Sequence, residues 1–192
     1  TSFKNFSLDY YSNDLTNEAT GMTARETAAK ALQQTQDFVR DFDHTFQNLF
    51  LYGDTGVGKT FLSCCVAKEL LDTTHSVIYY SAFDLFDALA EKTFSNSEES
   101  QGKNDYILDC DLLIIDDLGT ELPNRFVASQ FFLCINERIL RKKSTIISTN
   151  LSLGNFMERY SERVFSRVSS NYTMIKLIGN DIRIQKKLLG GH

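Results

Sequence analysis

From residue 45 onward, short continuous apolar runs alternate with longer stretches in which apolar positions recur every three to four residues. The runs at 48–52, 76–81, 111–116, 144–149 and 173–178 read as strands too uniformly apolar to keep one face in water. Between them, 59–72, 82–92 and 124–141 read as helices; shorter helices precede the last strand, and a final helix begins near Asp181. This alternation implies a parallel sheet covered on both faces, because each parallel crossover lays a helix against it. The polar stretch at 95–105, SNSEESQGKND, reads as a mobile loop. Upstream, Phe3, Phe6, Tyr10 and Tyr11 stand in an irregular leader. A helix over 23–42 follows, with apolar points at Ala28, Leu32 and Val39, and with Thr23 and Glu26 spaced as a capping box. The expected organisation is a leader and helix, 1–45, packed on a core of 46–192.

Length and composition narrow this picture. A chain of 192 residues fits one domain, and 42% hydrophobic content with one proline and ten glycines excludes collagen-like and disordered classes. No apolar run approaches the roughly 18–20 residues of a membrane span, and 1–30 hold no signal-peptide core, so a cytoplasmic protein with no membrane partner is expected. Cys64, Cys65, Cys110 and Cys134 lack metal-ligand spacing and read as reduced core thiols. The net charge is −5, yet 159–192 carry seven Lys/Arg against Glu162 and Asp181, a local +5 that leaves −10 for the rest. The C-terminal segment is therefore expected to face something anionic.

The chemistry-bearing residues sit where strands end. Gly53, Asp54, Thr55, Gly56, Val57, Gly58, Lys59 and Thr60 match GxxxxGK[ST], between a predicted strand and a predicted helix that runs on through Phe61. Glycines let the backbone curl so that its N–H groups converge on phosphate oxygens, Lys59 neutralises them, Thr60 offers a hydroxyl to Mg²⁺, and the helix dipole adds positive potential. The run Leu112-Leu113-Ile114-Ile115 then delivers Asp116 and Asp117 to a strand's C-terminal edge, where α/β sheets bind ligands. Asp116 is expected to hold Mg²⁺ and Asp117 to orient or deprotonate an attacking water. Asn150 ends the next strand; if that strand lies between the other two, its amide points at a terminal phosphate. Arg159, Arg163 and Arg167 recur every four residues, which on one helix makes a like-charged ridge in want of an anion. Arg183, one turn into the last helix, is a further phosphate contact.

The segments GDTGVGKT, LLIIDDLG, IISTN, SERVFSRV and GNDIRIQKK resemble, in order and separation, the AAA+ ATPases of the bacterial DnaC/DnaI helicase-loader group, and the leader FKNFSLDYYS is similar to the segment before that group's ATPase domain. The resemblance implies an α/β fold, a three-layer αβα P-loop NTPase with a five-stranded parallel sheet of order 5-1-4-3-2. It implies ATP and Mg²⁺ held by residues 53–61 and Asp116, with Asp117 as catalytic acid and Asn150 as sensor. Arg167 would be an arginine finger acting in trans, Arg163 its substitute, and Arg183 a second sensor in cis. The implied function is slow ATP hydrolysis that switches self-association and single-stranded DNA binding during loading of a hexameric replicative helicase. DNA contact would fall within 82–109, with Phe86 or Lys92. The separate N-terminal module usual in loaders has no counterpart here, and IstB-like helpers of transposition have similar motifs. A transposition helper and a nucleotide-dependent adaptor with negligible turnover are the alternatives. A small-molecule kinase would need an arginine-rich lid, whereas 95–105 hold only Lys103.

Overall fold

The computed structural model describes residues 1–95 and 97–190. Asn96, Gly191 and His192, which fall in the predicted 95–105 loop and at the end of the predicted 46–192 core, lie outside the described residues. Five parallel strands form one sheet: β1 (Leu49–Gly53), β2 (Val77–Ser81), β3 (Leu112–Leu118), β4 (Ser144–Thr149) and β5 (Thr173–Leu177), in the order β2-β3-β4-β1-β5. Read from the other edge, this is the expected 5-1-4-3-2, and β4 does lie between β1 and β3.

The period of two along each strand sorts apolar side chains into two cores. Phe50, Leu113, Ile115 and Ile147 point to one face. There they meet α3 (Ala82–Ser95), α5 (Arg125–Leu140), α6 (Leu153–Tyr160) and α7 (Glu162–Asn171), through Leu85, Phe131, Phe156 and Val164. Leu49, Leu51, Ile114, Ile146 and Ile175 point to the other face, where α1 (Ala24–Arg40) and α2 (Lys59–Asp72) bury Ala28, Phe38, Leu62 and Val66. The capping box that starts α1 is formed: Thr23 Oγ1 accepts from Glu26 N–H at 3.1 Å, and the Glu26 carboxylate accepts from Thr23 N–H at 3.4 Å. Phe3, Phe6 and Tyr11 of the leader pack on this same layer. The last helix, α8 (Ile182–Leu189), is capped by Asp181.

Two expectations are corrected. Among its described residues the stretch 95–105 is largely helical rather than a loop: α3 runs to Ser95 and α4 spans Glu98–Asp109, with Ser97 and Ser100 closing a reciprocal cap at its start. Its inward stripe is Ser100, Asn104 and Ile107, and two small polar residues leave no apolar period to read. The three arginines do not share one helix. Ser161, at φ +100°, ends α6 and caps α7, so Arg159 belongs to α6 while Arg163 and Arg167 belong to α7.

Beneath α5, the fully buried guanidinium of Arg138 has no carboxylate partner among the described residues. It donates to the carbonyls of Ile107 (2.7 Å), Cys110 (3.0 Å) and Ser144 (2.6 Å) and to Thr145 Oγ1 (2.9 Å), tying the end of α4 to the start of β4. Arg138→Met keeps the stem but strands these acceptors. It should lower the unfolding free energy by about 3 kcal/mol, with unsatisfied buried carbonyls as the main cost. Urea denaturation checks this as an earlier midpoint at unchanged slope.

Candidate active site

Most of the predicted glycine loop, with Asp116, Asp117, Asn150 and Arg183, gathers at the C-terminal rim of the sheet, around a cavity of about 610 Å³. Between β1 and α2 the chain curls through Gly56 (φ +72°) and Gly58 (φ +101°), a left-handed conformation that side chains resist. A side chain there would also have to displace a neighbour: a Cβ on Gly58 would stand 2.7 Å from Tyr11 Oη, and one on Gly56 would stand 2.2 Å from Asp181 Oδ1. Thr55, Gly56, Gly58, Lys59, Thr60 and Phe61 line the cavity, whereas Gly53, Asp54 and Val57 do not. Val57 is fully buried, and Asp54 is tied back through its N–H to Leu177 O at 3.3 Å.

Lys59 is only 5% exposed, and its ammonium donates to the carbonyls of Gly53 (3.0 Å) and Asp54. No carboxylate lies within ion-pair distance among the described residues. Burial without a direct counter-ion pulls this ammonium down to about 8. It is a positive charge waiting for an anion.

Asp116, at the end of β3, is 6% exposed and accepts from three hydroxyls: Thr60 Oγ1 at 3.0 and 3.1 Å, Tyr79 from β2, and Ser148 from β4. Ser148 Oγ also accepts from Asp117 N–H at 3.2 Å, so one hydroxyl steadies both acids. The β3–β4 register shifts between Ile115 and Leu118, and Asp117 takes φ +54°, a strand-edge irregularity that turns its carboxylate into the cavity. Partial burial, then the neighbouring Asp116 charge, raise Asp117 above the usual carboxylate range, opposed by Lys59 and Arg183. Asn150 opens on the same cavity one residue beyond β4. An oxygen-only pair, Thr60 hydroxyl and Asp116 carboxylate, beside a glycine cradle suits a hard cation such as Mg²⁺ on a phosphate.

Arg183 lines the cavity from α8, its guanidinium paired with Asp181 at 2.9 Å. Arg167 is exposed on α7 and does not line the cavity. Arg163 lies over the Phe132 ring at 3.8 Å, and Arg159 Nε stands 3.5 Å from Glu121. Phe86 is buried against Phe131, so the expectation that it touches DNA is overturned. Lys92 is exposed, but 82–109 carry seven carboxylates against two lysines.

Several site residues escaped the sequence reading. Tyr79 carried no motif, and Ser148 stood inside IISTN without a role of its own; each offered only a hydroxyl at the right register of a strand. The leader forms a wall of the cavity with Asn5, Phe6, Ser7, Tyr10 and Tyr11. Tyr11 Oη donates to Val57 O at 2.5 Å, the Phe6 ring lies 6.1 Å from that of Phe61, and Lys186 Nζ stands 5.3 Å from the Tyr10 ring. Four aromatics within a polar leader were the available signal. Glu121, buried in the loop after β3, accepts from Gly119 N–H at 2.9 Å and from the Tyr160 hydroxyl, anchoring the segment that carries Asp117 to α6.

Comparison with known proteins identifies the family and the fold. The chain is 28% identical over 145 residues to the replicative helicase loader DnaC of Escherichia coli strain K12, covering 74% of this chain and 58% of that protein. It is 27% identical over 150 residues to the insertion sequence IS21 ATP-binding protein of Pseudomonas aeruginosa, covering 76% and 56%. It thus spans little more than half the length of these relatives. A crystal structure of the DnaC helicase loader superposes with a TM-score of 0.71 at 24% identity, covering 92% of this chain and 98% of that one, and shares the fold. The model of the IstB-like ATP binding protein family matches residues 16–189, and the chain belongs to that family.

Proposed function

We propose that this chain is an ATPase of helicase-loader type, in which ATP binding with Mg²⁺ switches self-association and single-stranded DNA binding while a hexameric replicative helicase is loaded. The observation that carries the ATPase reading is the convergence on one cavity of an unpaired buried ammonium, a hydroxyl–carboxylate pair and two further polar groups from separate strands. Glycine-loop amides and Lys59 would hold the β- and γ-phosphates. Thr60 and Asp116 would hold Mg²⁺, which when bound neutralises phosphate charge during transfer. Asp117 would accept the proton of the attacking water, and Asn150 would orient that water and the γ-phosphate. Phe6, Phe61, Tyr10 and Tyr11 would enclose the base. Arg167, exposed and clear of its own cavity, would serve a neighbouring copy, and Arg183 would serve its own site.

The IS21 relative, matched at nearly the same identity as the loader, favours a second reading, a transposition helper acting on duplex DNA. Turnover in the presence of each macromolecule separates the two. Under the loader reading, single-stranded DNA or the helicase changes the ATPase rate and duplex DNA does not; the opposite response favours the helper. Binding without product in a single-turnover experiment assigns the chain to the nucleotide-dependent adaptors. Lys59→Ala should weaken Mg-ATP roughly 100-fold, the worth of a charged hydrogen bond to phosphate, and abolish turnover. Unchanged affinity in that variant would remove the whole reading.

The depressed Lys59 ammonium gives a second test. A bound triphosphate favours its charged form, so its value rises on binding and nucleotide capture takes up a proton wherever the free ammonium has begun to dissociate. Affinity should be flat below the free value of about 8 and fall above it, by up to about tenfold per pH unit. Calorimetry at pH 8.5 in buffers of different ionisation heat should register the uptake, and Lys59→Ala should lose it.

A further inference from the structure

Helix α8 is fastened to the phosphate loop at Gly56. Ile182 N–H donates to Gly56 O at 2.9 Å, and the Asp181 carboxylate fills the space that a Cβ on Gly56 would need. The same carboxylate turns outward to the next residue but one. Its Oδ1 accepts from Arg183 N–H at 2.9 Å, which caps α8, and from Arg183 Nε at 3.1 Å. Its Oδ2 accepts from Arg183 Nη2 at 2.9 Å. One carboxylate therefore grips a whole edge of the guanidinium in two-pronged fashion.

A guanidinium has five N–H donors in a fixed fork. With Nε and one Nη2 hydrogen committed to Asp181, the Nη1 pair and the remaining Nη2 hydrogen have no acceptor among the described residues. Arg183 lines the cavity it shares with Lys59, Asp116 and Asp117. Its side chain is 69% exposed, and a free arginine that exposed loses rotamer entropy when it meets a ligand. Asp181, whose side chain is only 19% exposed and is seated against the glycine loop, removes much of that loss beforehand. The arginine is thus set in register with the loop that grips the phosphates.

We infer that Asp181 is a positioning residue: by holding one edge of Arg183 against Gly56 it aims the free edge at the terminal phosphate, and so sets the preference for nucleoside triphosphate over diphosphate. This deepens, and rests on, the reading of Arg183 as a phosphate contact in cis. A merely structural Asp181 would support the loop for both nucleotides alike; a positioning Asp181 acts on the triphosphate alone.

The test is the ratio of Mg-ATP to Mg-ADP affinity, measured by calorimetry on the full chain and on D181N, D181S, R183A and D181N/R183A. Asparagine and serine both cap helices well, so α8 and the loop keep their cap while the anionic grip is lost. R183A should lower the ratio, and D181N and D181S should lower it by about fivefold, the upper range for a partly exposed ion pair. ADP affinity and melting temperature should stay at the wild-type values, and D181N should add nothing in the R183A background. An unchanged ratio in D181N and D181S beside a lowered one in R183A would overturn the inference alone. So would a raised ratio, since Asp181 would then compete with phosphate for the arginine, or an equal loss of both nucleotides. An unchanged ratio in R183A would overturn the arginine's role and the inference together. Failure of the wild-type chain to bind either nucleotide would overturn the proposed function itself.

Discussion

The rim of this molecule is organised around one unbalanced charge. Lys59 is buried with only the carbonyls of its own loop to receive its protons, and the nearest carboxylates act on it at a distance. Burying a cation this way is costly. Several neighbours make the burial tolerable: the curled loop that offers the carbonyls of residues 53 and 54, the tie from Asp54 N–H to Leu177 O, and the acids at the end of β3. An arriving polyphosphate would replace weak dipoles by full negative charge, so that the cost of burying this cation becomes affinity.

Around this centre, the second acid is steered by polar contacts that cross the sheet. Ser148 on β4 donates to Asp116 and accepts from the Asp117 backbone, and the Thr149 hydroxyl donates to Leu118 O at 2.5 Å, so β4 fixes the direction in which β3 leaves the sheet. Further out, Glu121 and Tyr160 link that same exit to α6. The geometry of the two acids is therefore set by their neighbours in the sheet and by the opposite helical layer. In this arrangement Asp117 can hold a left-handed backbone next to a buried like charge.

How much of this was legible in the sequence depended on whether local pattern and tertiary packing agreed. The five strands followed from apolar runs, the sheet order only from the family resemblance that the ordered motifs carry, and the glycine loop, Asp116, Asp117, Asn150 and Arg183 do meet at one cavity. Reading failed where a helix buries a polar stripe, as α4 does with Ser100 and Asn104. It failed again where one backbone angle, at Ser161, breaks a periodicity that the side chains continue. Phe3, Phe6 and Tyr11 of the leader pack on the core. The leader's part in the cavity was illegible, because an aromatic that lines a ligand site and one that fills a core look alike until the fold brings Tyr11 to Val57.

The strand order has one more consequence, for the time at which the site can exist. β1 lies between β4 and β5, so the strand that leads into the glycine loop emerges early and waits, flanked on neither side, until residues 144–177 have been made. Tyr10 meets Lys186 across almost the whole chain. Contacts this distant in sequence are slow to form and leave apolar surface uncovered meanwhile. On the ribosome, this polypeptide acquires its pocket only once residues 144–186 have followed β1 out, and nascent fragments short of that point expose a bare hydrophobic ribbon that a chaperone would recognise.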